Sequence, residues 1–251
     1  MLEDTELERY SRQIILRELG GAGQNRLRSA HVAMIGAGGI GSPAIQYLAA
    51  AGIGRLTVFD DDVVALSNLQ RQTLYGTDDV GKPKVTAASD AVARLNPHVH
   101  FEGRPLRIDT DGARALLAAA APDVIVDGCD NFPTRLAVAD AALALHIPLV
   151  SAAVGEFAGL VGTFRGWEAD KPCYRCLVGN DPERAGISCA EQGVLGAVTG
   201  LVGSLAALEA IRACVGFGQD SAGKLLRIDA LALRVATLRL PKDPGCPACG
   251  A

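Results

Sequence analysis

Short apolar runs ending in glycine or acid alternate with longer stretches of helical period along the first 155 residues. HVAMIG runs straight into GAGGIG and then SPAIQYLAAAG, which reads as strand, turn and helix. RLTVFD is a second strand ending in acid. The alternation continues with a helix over Lys84–Leu95, a strand near 101–108, an Ala-rich helix over 111–121, the strand in DVIVDGCD, a helix over 134–146 and the strand PLVSAAV. Ahead of these, Thr5 and Glu8 stand at capping-box spacing and Leu7, Tyr10 and Ile14 at helical intervals, predicting an N-terminal helix. Strands separated by helices of this length form βαβ units, so the fold class is α/β with a mostly parallel sheet covered on both faces.

Beyond residue 155 the pattern changes. LVGTFRG reads as a strand, PCYRCLVGNDPERAGISC as a loop, about 191–215 as a long apolar helix, and KLLRIDALALRVATLRL as strand-like alternation before PKDPGCPACGA. With no internal repeat or low-complexity linker, a single domain is expected over 1–251. Its nucleotide-binding part covers about 28–155, and a partly antiparallel C-terminal half covers about 156–251. The uncharged run 192–208 is shorter than the roughly 20 residues a bilayer needs and is closed by Glu191, Glu209 and Arg212, so it is expected to be a buried helix rather than a membrane span.

Charge and cysteine content narrow the setting. With 24 Lys and Arg against 28 Asp and Glu, there is no basic field to hold a polyanion, so nucleic-acid binding is not expected. The acidic, polar start MLEDTELERY is unlike a signal peptide. Four of the seven cysteines form two C-x-x-C pairs, which suits metal ligation in a reducing compartment and points to the cytoplasm.

Gly36, Gly38 and Gly41 satisfy G-x-G-x-x-G between a strand and a helix, with Asp60 ending the next strand. Such glycines let backbone approach a phosphate at a helix N-terminus, and the acid can accept ribose hydroxyls, as in Rossmann-like folds. A tight turn alone is the bland alternative. A nicotinamide enzyme would also use this loop, but the polar and cationic stretch DDVVALSNLQRQTLYG with GKPK has no use in hydride transfer. Asn68, Arg71, Lys82 and Lys84 are suitable partners for a triphosphate: Arg offers a planar fork, Lys a compact charge. Each alone could equally be a solvated surface group. Asp130, just past the strand DVIVD, lies where open α/β sheets bind ligands and could hold Mg²⁺ on phosphates; capping the following helix is its other reading.

Cys173 and Cys176 pair with Cys246 and Cys249 about seventy residues away. Four thiolates give Zn²⁺ a closed tetrahedral shell with no open position, which predicts a structural site stapling the tail to the middle of the chain; two reactive dithiols are the alternative. Cys129 and Cys214 read as small buried residues. Gly196, Gly200 and Gly203 in the long helix are expected to permit close backbone approach.

The segments RYSRQI, GAGGIGS, DDDVVALSNLQRQ, VGKPK, GCDN, PCYRC and PGCPACG together resemble the ThiF/MoeB/HesA adenylyltransferases. These activate ubiquitin-like sulfur carriers in molybdopterin and thiamine biosynthesis and are relatives of the ubiquitin-activating enzymes. The resemblance implies that the C-terminal glycine carboxylate of a small carrier ending in Gly-Gly attacks ATP, releasing pyrophosphate. The molybdopterin-synthase type is favoured and the thiamine type comes next. Carried over by residue, Gly39 joins the phosphate loop, Asp60 takes the ribose, and Ser67, Asn68 and Arg71 meet the phosphates. Lys84 stabilises developing charge, Asp130 with Asn131 arranges Mg²⁺, and Arg12 resembles an arginine that the partner subunit of a homodimer inserts into the site. Cys189 stands where some relatives place a thiol for a later sulfur-transfer step, and a bland exposed cysteine is the equal alternative. Because the chain stops just after the zinc cysteines, sulfur is expected from a separate donor such as a cysteine desulfurase or rhodanese. A nicotinamide-dependent oxidoreductase and a non-catalytic nucleotide-binding scaffold are the competing classes.

Overall fold

The computed structural model describes residues 2–179 and 193–250. Two helices open the chain, α1 (Asp4–Ile14) and α2 (Gly20–Ser29), followed by β1 (His31–Ile35), α3 (Gly41–Ala51), β2 (Arg55–Phe59), α4 (Lys84–Leu95), β3 (His100–Arg104), α5 (Ala113–Ala120), β4 (Val124–Asp127), α6 (Phe132–Leu145) and β5 (Leu149–Gly155). The remainder comprises β6 (Ala158–Phe164), the single turn α7 (Arg175–Val178), the long α8 (Gly196–Val215), β7 (Lys224–Asp229) and β8 (Arg234–Arg239). Among the described residues the eight strands form one sheet, ordered β3-β2-β1-β4-β5-β6-β7-β8. The first five pair in parallel, and β6 to β8 continue antiparallel. This is the expected α/β architecture with a partly antiparallel C-terminal half.

Register sets up the site. Ile35 on β1 pairs with Phe59 on β2 and with Asp127 on β4, so the residues that follow, Gly36, Asp60 and Gly128, emerge side by side at one edge of the sheet. That edge lies at the carboxyl ends of β1 and β4, where strand order reverses, and open α/β sheets bind ligands in such crevices. β1 is buried throughout because both its faces are covered. Val32 and Met34 point into a cluster with α3, α4 and α8, whereas Ala33 and Ile35 point into another with α5 and α6.

Several boundaries differ from expectation. α1 is capped by Glu3, whose N–H donates to Glu6 Oε2 at 2.9 Å, rather than by Thr5 with Glu8. The strand expected near 101–108 ends at Arg104, and α6 begins two residues early because Asn131 caps it and Pro133 fits its first turn. α8 begins at Gly196 within the described residues. At 20 residues it is long and apolar enough to cross a membrane by length and composition alone. Its Val198, Val202, Ala206 and Ala210 are nonetheless buried in the core cluster, as expected of a core helix. A Cβ at Gly203 would lie 2.3 Å from the Ile40 carbonyl, and one at Gly196 would lie 2.1 Å from that of Gln70, so both glycines permit close approach. Gly200 has open space instead, contrary to expectation.

Candidate active site

A cavity of about 420 Å³ lies at the strand-order switch. Gly36, Gly38, Gly39, Asp60, Asn68, Arg71, Lys84, Asp130 and Asn131 all line it. Three of the predicted loop and phosphate residues, Gly41, Ser67 and Lys82, do not. Gly41 is the helix-packing glycine, since a Cβ there would meet the Gly36 carbonyl at 2.0 Å. Ser67 instead presents its carbonyl to Arg71 Nη1 at 3.1 Å. Gly36 has φ +87°, a left-handed conformation that turns the chain from β1 into the loop at little cost for glycine.

Asp60 is the hinge of the loop. Its Oδ2 accepts from Ala37 N–H at 2.7 Å and its Oδ1 from Asp62 N–H at 2.9 Å. Burial pushes its carboxyl above the ordinary aspartate value, while Lys84 and the two N–H groups pull it back. Tyr75 braces the loop from below, donating its hydroxyl to the Ala37 carbonyl at 2.8 Å. On the opposite wall Lys84, at the start of α4, places Nζ 2.8 Å from Asp62 Oδ2. Lys82 points away from this group and pairs with Asp79 at 2.9 Å. Asn68 folds its Oδ1 toward Ala65 N–H at 3.3 Å.

After β4, the cap of α6 is Asn131, which accepts from Thr134 N–H at 2.9 Å. The helix is therefore capped without Asp130, whose carboxylate lines the cavity beside it. Hard cations take carboxylate oxygen, so Asp130 suits Mg²⁺, whereas the Asn131 carbonyl oxygen is committed to the cap. Cys129 departs from its reading as a buried apolar residue: it is half-buried, lines the cavity, and its thiol donates to Asp127 Oδ1 at 2.8 Å. Arg12, exposed on α1, is absent from the cavity wall. Cys189 lies outside the described residues.

Several lining residues escaped the sequence. Asp62, Arg107, Gln72 and Thr199 all reach the cavity. Asp62 could have been found as the acid nearest Lys84 in the DDD run, and Arg107 pairs with Asp61 at 3.3 Å. Gln72 is 3% exposed and its Oε1 has no hydrogen-bond partner, so it offers an unused acceptor at the cavity floor. Thr199 arrives from α8, whose packing against the loop no local pattern reveals.

Residues 10–248 match the ThiF family. This chain belongs to the ThiF family. It is 45% identical to the "Sulfur carrier protein adenylyltransferase" of Thermus thermophilus over 249 residues, covering 98% of this chain and 91% of that one. It is 41% identical to the "Molybdopterin-synthase adenylyltransferase" of Salmonella typhimurium, covering 99% and 98% respectively. Its fold is that of Escherichia coli MccB, crystallised with ATP, with a TM-score of 0.84 over 97% of this chain and 75% of that one at 23% identity.

A second cluster lies away from the cavity. Cys173, Cys176, Cys246 and Cys249 bring their Sγ atoms within 4.8 Å of one another. The Cys173 and Cys246 sulfurs are 3.6 Å apart, those of Cys176 and Cys249 3.5 Å, and those of Cys173 and Cys176 3.9 Å. A tetrahedron of Zn–S bonds of about 2.3 Å has edges of about 3.8 Å, so the set fits a four-coordinate metal. Burial raises the Cys246 thiol, but the N–H groups of Ala248 and Cys249 and hydrogen bonds with the Cys173 and Cys176 thiols together lower its pKa to about 7, whereas burial pushes the Cys173 and Cys176 thiols up. The cluster ties the C-terminal tail to the segment after β6. Trp167 has a packing role, stacked on His146 with ring centroids 5.6 Å apart.

Proposed function

We propose that this chain uses Mg-ATP to adenylate the C-terminal glycine carboxylate of a small ubiquitin-like sulfur carrier, of the molybdopterin-synthase type in preference to the thiamine type. The observation that carries the reading is the convergence of Asp60, Asn68, Arg71, Lys84 and Asp130 on one cavity, in a chain closely similar to relatives named as adenylyltransferases. Gly36, Gly38 and Gly39 receive the triphosphate, and Asp60 accepts ribose hydroxyls. A carrier carboxylate oxygen attacks the α-phosphorus; the bond from that phosphorus to the bridging oxygen breaks, and pyrophosphate leaves with the electron pair. Arg71, Asn68 and Lys84 hold the oxygens on which charge grows, so positioning and neutralisation do most of the catalytic work. Asp130 holds Mg²⁺, which when bound neutralises phosphate charge.

The carrier's landing place in this reading is β8. Among the described residues β8 is one of the two edge strands of the sheet, with every residue exposed, and Leu231, Leu233 and Val235 are 70%, 91% and 65% exposed beside Arg227, Arg234 and Arg239. An apolar edge flanked by arginines suits an acidic β-sheet partner. Leu201 and Leu208 are exposed on α8 and offer apolar surface to a second copy; the homodimer in which Arg12 reaches the partner's cavity rests on the family resemblance. Zinc in the Cys₄ cluster is structural. Cys189 and a separate sulfur donor belong to a later sulfur-transfer step, and the cytoplasm is the proposed setting. Carrier-dependent ATP-pyrophosphate exchange tests the reading: exchange without a carrier, or none with any Gly-Gly-ended carrier, would reject it.

A further inference from the structure

Behind the cavity, on the α6 side of the sheet, a buried ion pair grips the loop that carries Asp130. Arg135 donates through Nη1 to Asp127 Oδ2 at 2.9 Å and Ser151 Oγ at 3.0 Å. Its Nη2 donates to the carbonyls of Cys129 and Ala152, the latter at 2.7 Å. Asp127 in turn accepts from Cys129 N–H at 3.1 Å, the Cys129 thiol at 2.8 Å and the Ser151 hydroxyl at 2.9 Å. Cys129 is therefore held at its N–H, its sulfur and its carbonyl. One residue beyond Asp130, Asn131 is fixed by the α6 cap. The backbone is anchored on both sides of Asp130, while Asp130 itself is exposed on the cavity wall.

Arg135 does not line the nucleotide cavity. It faces an adjoining apolar cavity of about 330 Å³ that Cys129 and Asp130 also line, and its direct hydrogen bonds reach the Cys129 carbonyl of the loop and not Asp130. We propose that Asp127 and Arg135 are positioning residues that set the Asp130 carboxylate for its metal-nucleotide ligand. The inference rests on the reading of Asp130 as the group that holds Mg²⁺. The fork of a guanidinium is needed, because one side chain must serve a carboxylate, a hydroxyl and two carbonyls in fixed directions. A lysine keeps the charge against Asp127 but cannot span all four acceptors. Groups that orient a metal ligand in this way typically contribute about 10- to 100-fold in metal affinity or activity.

The test is calorimetric titration of the full-length protein with a non-hydrolysable ATP analogue, with and without Mg²⁺, for wild type, Asp130→Asn, Arg135→Lys and Ser151→Ala. The ratio of the two affinities measures how strongly the protein couples metal to nucleotide, and fitted stoichiometry separates it from any loss of folded protein. Arg135→Lys is expected to lower that ratio about tenfold or more, toward the Asp130→Asn value, with metal-free affinity kept. Ser151→Ala, which leaves the grip on the Cys129 carbonyl intact, is expected to lie near wild type. A folded Arg135→Lys protein with the wild-type ratio would overturn the positioning role while leaving the reading of Asp130 standing. An Asp130→Asn ratio equal to wild type would instead reject Asp130 as the metal group, and this inference with it.

Discussion

Lys84 Nζ lies 2.8 Å from Asp62 Oδ2, and the two partners differ sharply in exposure: the lysine side chain is 6% exposed and the aspartate 58%. The ammonium is thus sequestered at the cavity wall against a carboxylate that remains solvated. A phosphate can replace Asp62 as its partner without stranding a buried charge. Lys84→Ala leaves its partner Asp62 solvated rather than stranded, so the variant should still fold. It should slow carrier-dependent pyrophosphate exchange by about 10²- to 10³-fold, the usual cost of losing one preorganised donor, and Arg71→Ala should do the same. Full exchange in both folded variants would remove their catalytic role.

Asp60 gives a pH dependence with a definite sign. Burial holds its folded pKa above the ordinary aspartate value. Its contribution to stability is then largest below the unfolded value and is lost as pH rises through the folded one. ATP affinity should run the opposite way, because only the ionised carboxylate can accept both ribose hydroxyls. Titrating ATP binding across the acid range should show affinity rising through the Asp60 transition in wild type, and a flat profile in Asp60→Asn. The same slope in both proteins would assign the dependence to another group.

The sequence made one half of this site legible and hid the other. GAGGIG, SNLQRQ and GKPK are contiguous, and local backbone rules deliver Gly36, Asn68, Arg71 and Lys84 to the cavity almost directly. α4 spans Lys84–Leu95 as its periodicity predicts. The paired cysteines were equally readable, because C-x-x-C is itself a local geometry. What could not be read depends on contacts distant in the chain: Thr199 reaches Arg71 only because α8 packs against the glycine loop, the two positions being 128 apart in sequence. Nothing local to Asp127 or Arg135 marks either residue. Only the register of β4 and β5 brings Asp127 beside Ser151 and reveals the grip on Cys129.

The cysteine cluster should behave as one unit. Changing Cys173, Cys176, Cys246 or Cys249 to Ala should lower zinc stoichiometry and melting temperature together. In zinc-finger peptides such sites contribute about 10 to 16 kcal/mol of apparent binding free energy coupled to folding. Cys189→Ala should change neither zinc content nor pyrophosphate exchange, since carboxylate attack on ATP needs no thiol. Undiminished zinc in Cys246→Ala, or zinc loss in Cys189→Ala, would contradict the assignment.

Arg12 sits on α1, which Gln13 ties to Gln24 at 3.0 Å and to the Ala51 carbonyl at 3.1 Å, away from the chain's own cavity. Arg12→Ala and Arg71→Ala proteins, each inactive alone, should regain exchange activity when mixed, because some hybrid dimers then hold one intact site. Labelled subunits must be shown to exchange in the same mixture. Proven exchange without recovered activity would place Arg12 outside the partner's site.

The central claim is that this cavity joins ATP to a carrier's terminal carboxylate, and isotope exchange between pyrophosphate and ATP measures that step alone. The purified protein should incorporate labelled pyrophosphate into ATP only when a small β-grasp protein ending in Gly-Gly is present. Exchange should vanish when the carrier's last glycine is deleted, and NAD should neither support nor inhibit it. Exchange indifferent to the carrier's C-terminus, or tight NAD binding with no exchange at all, would contradict the account.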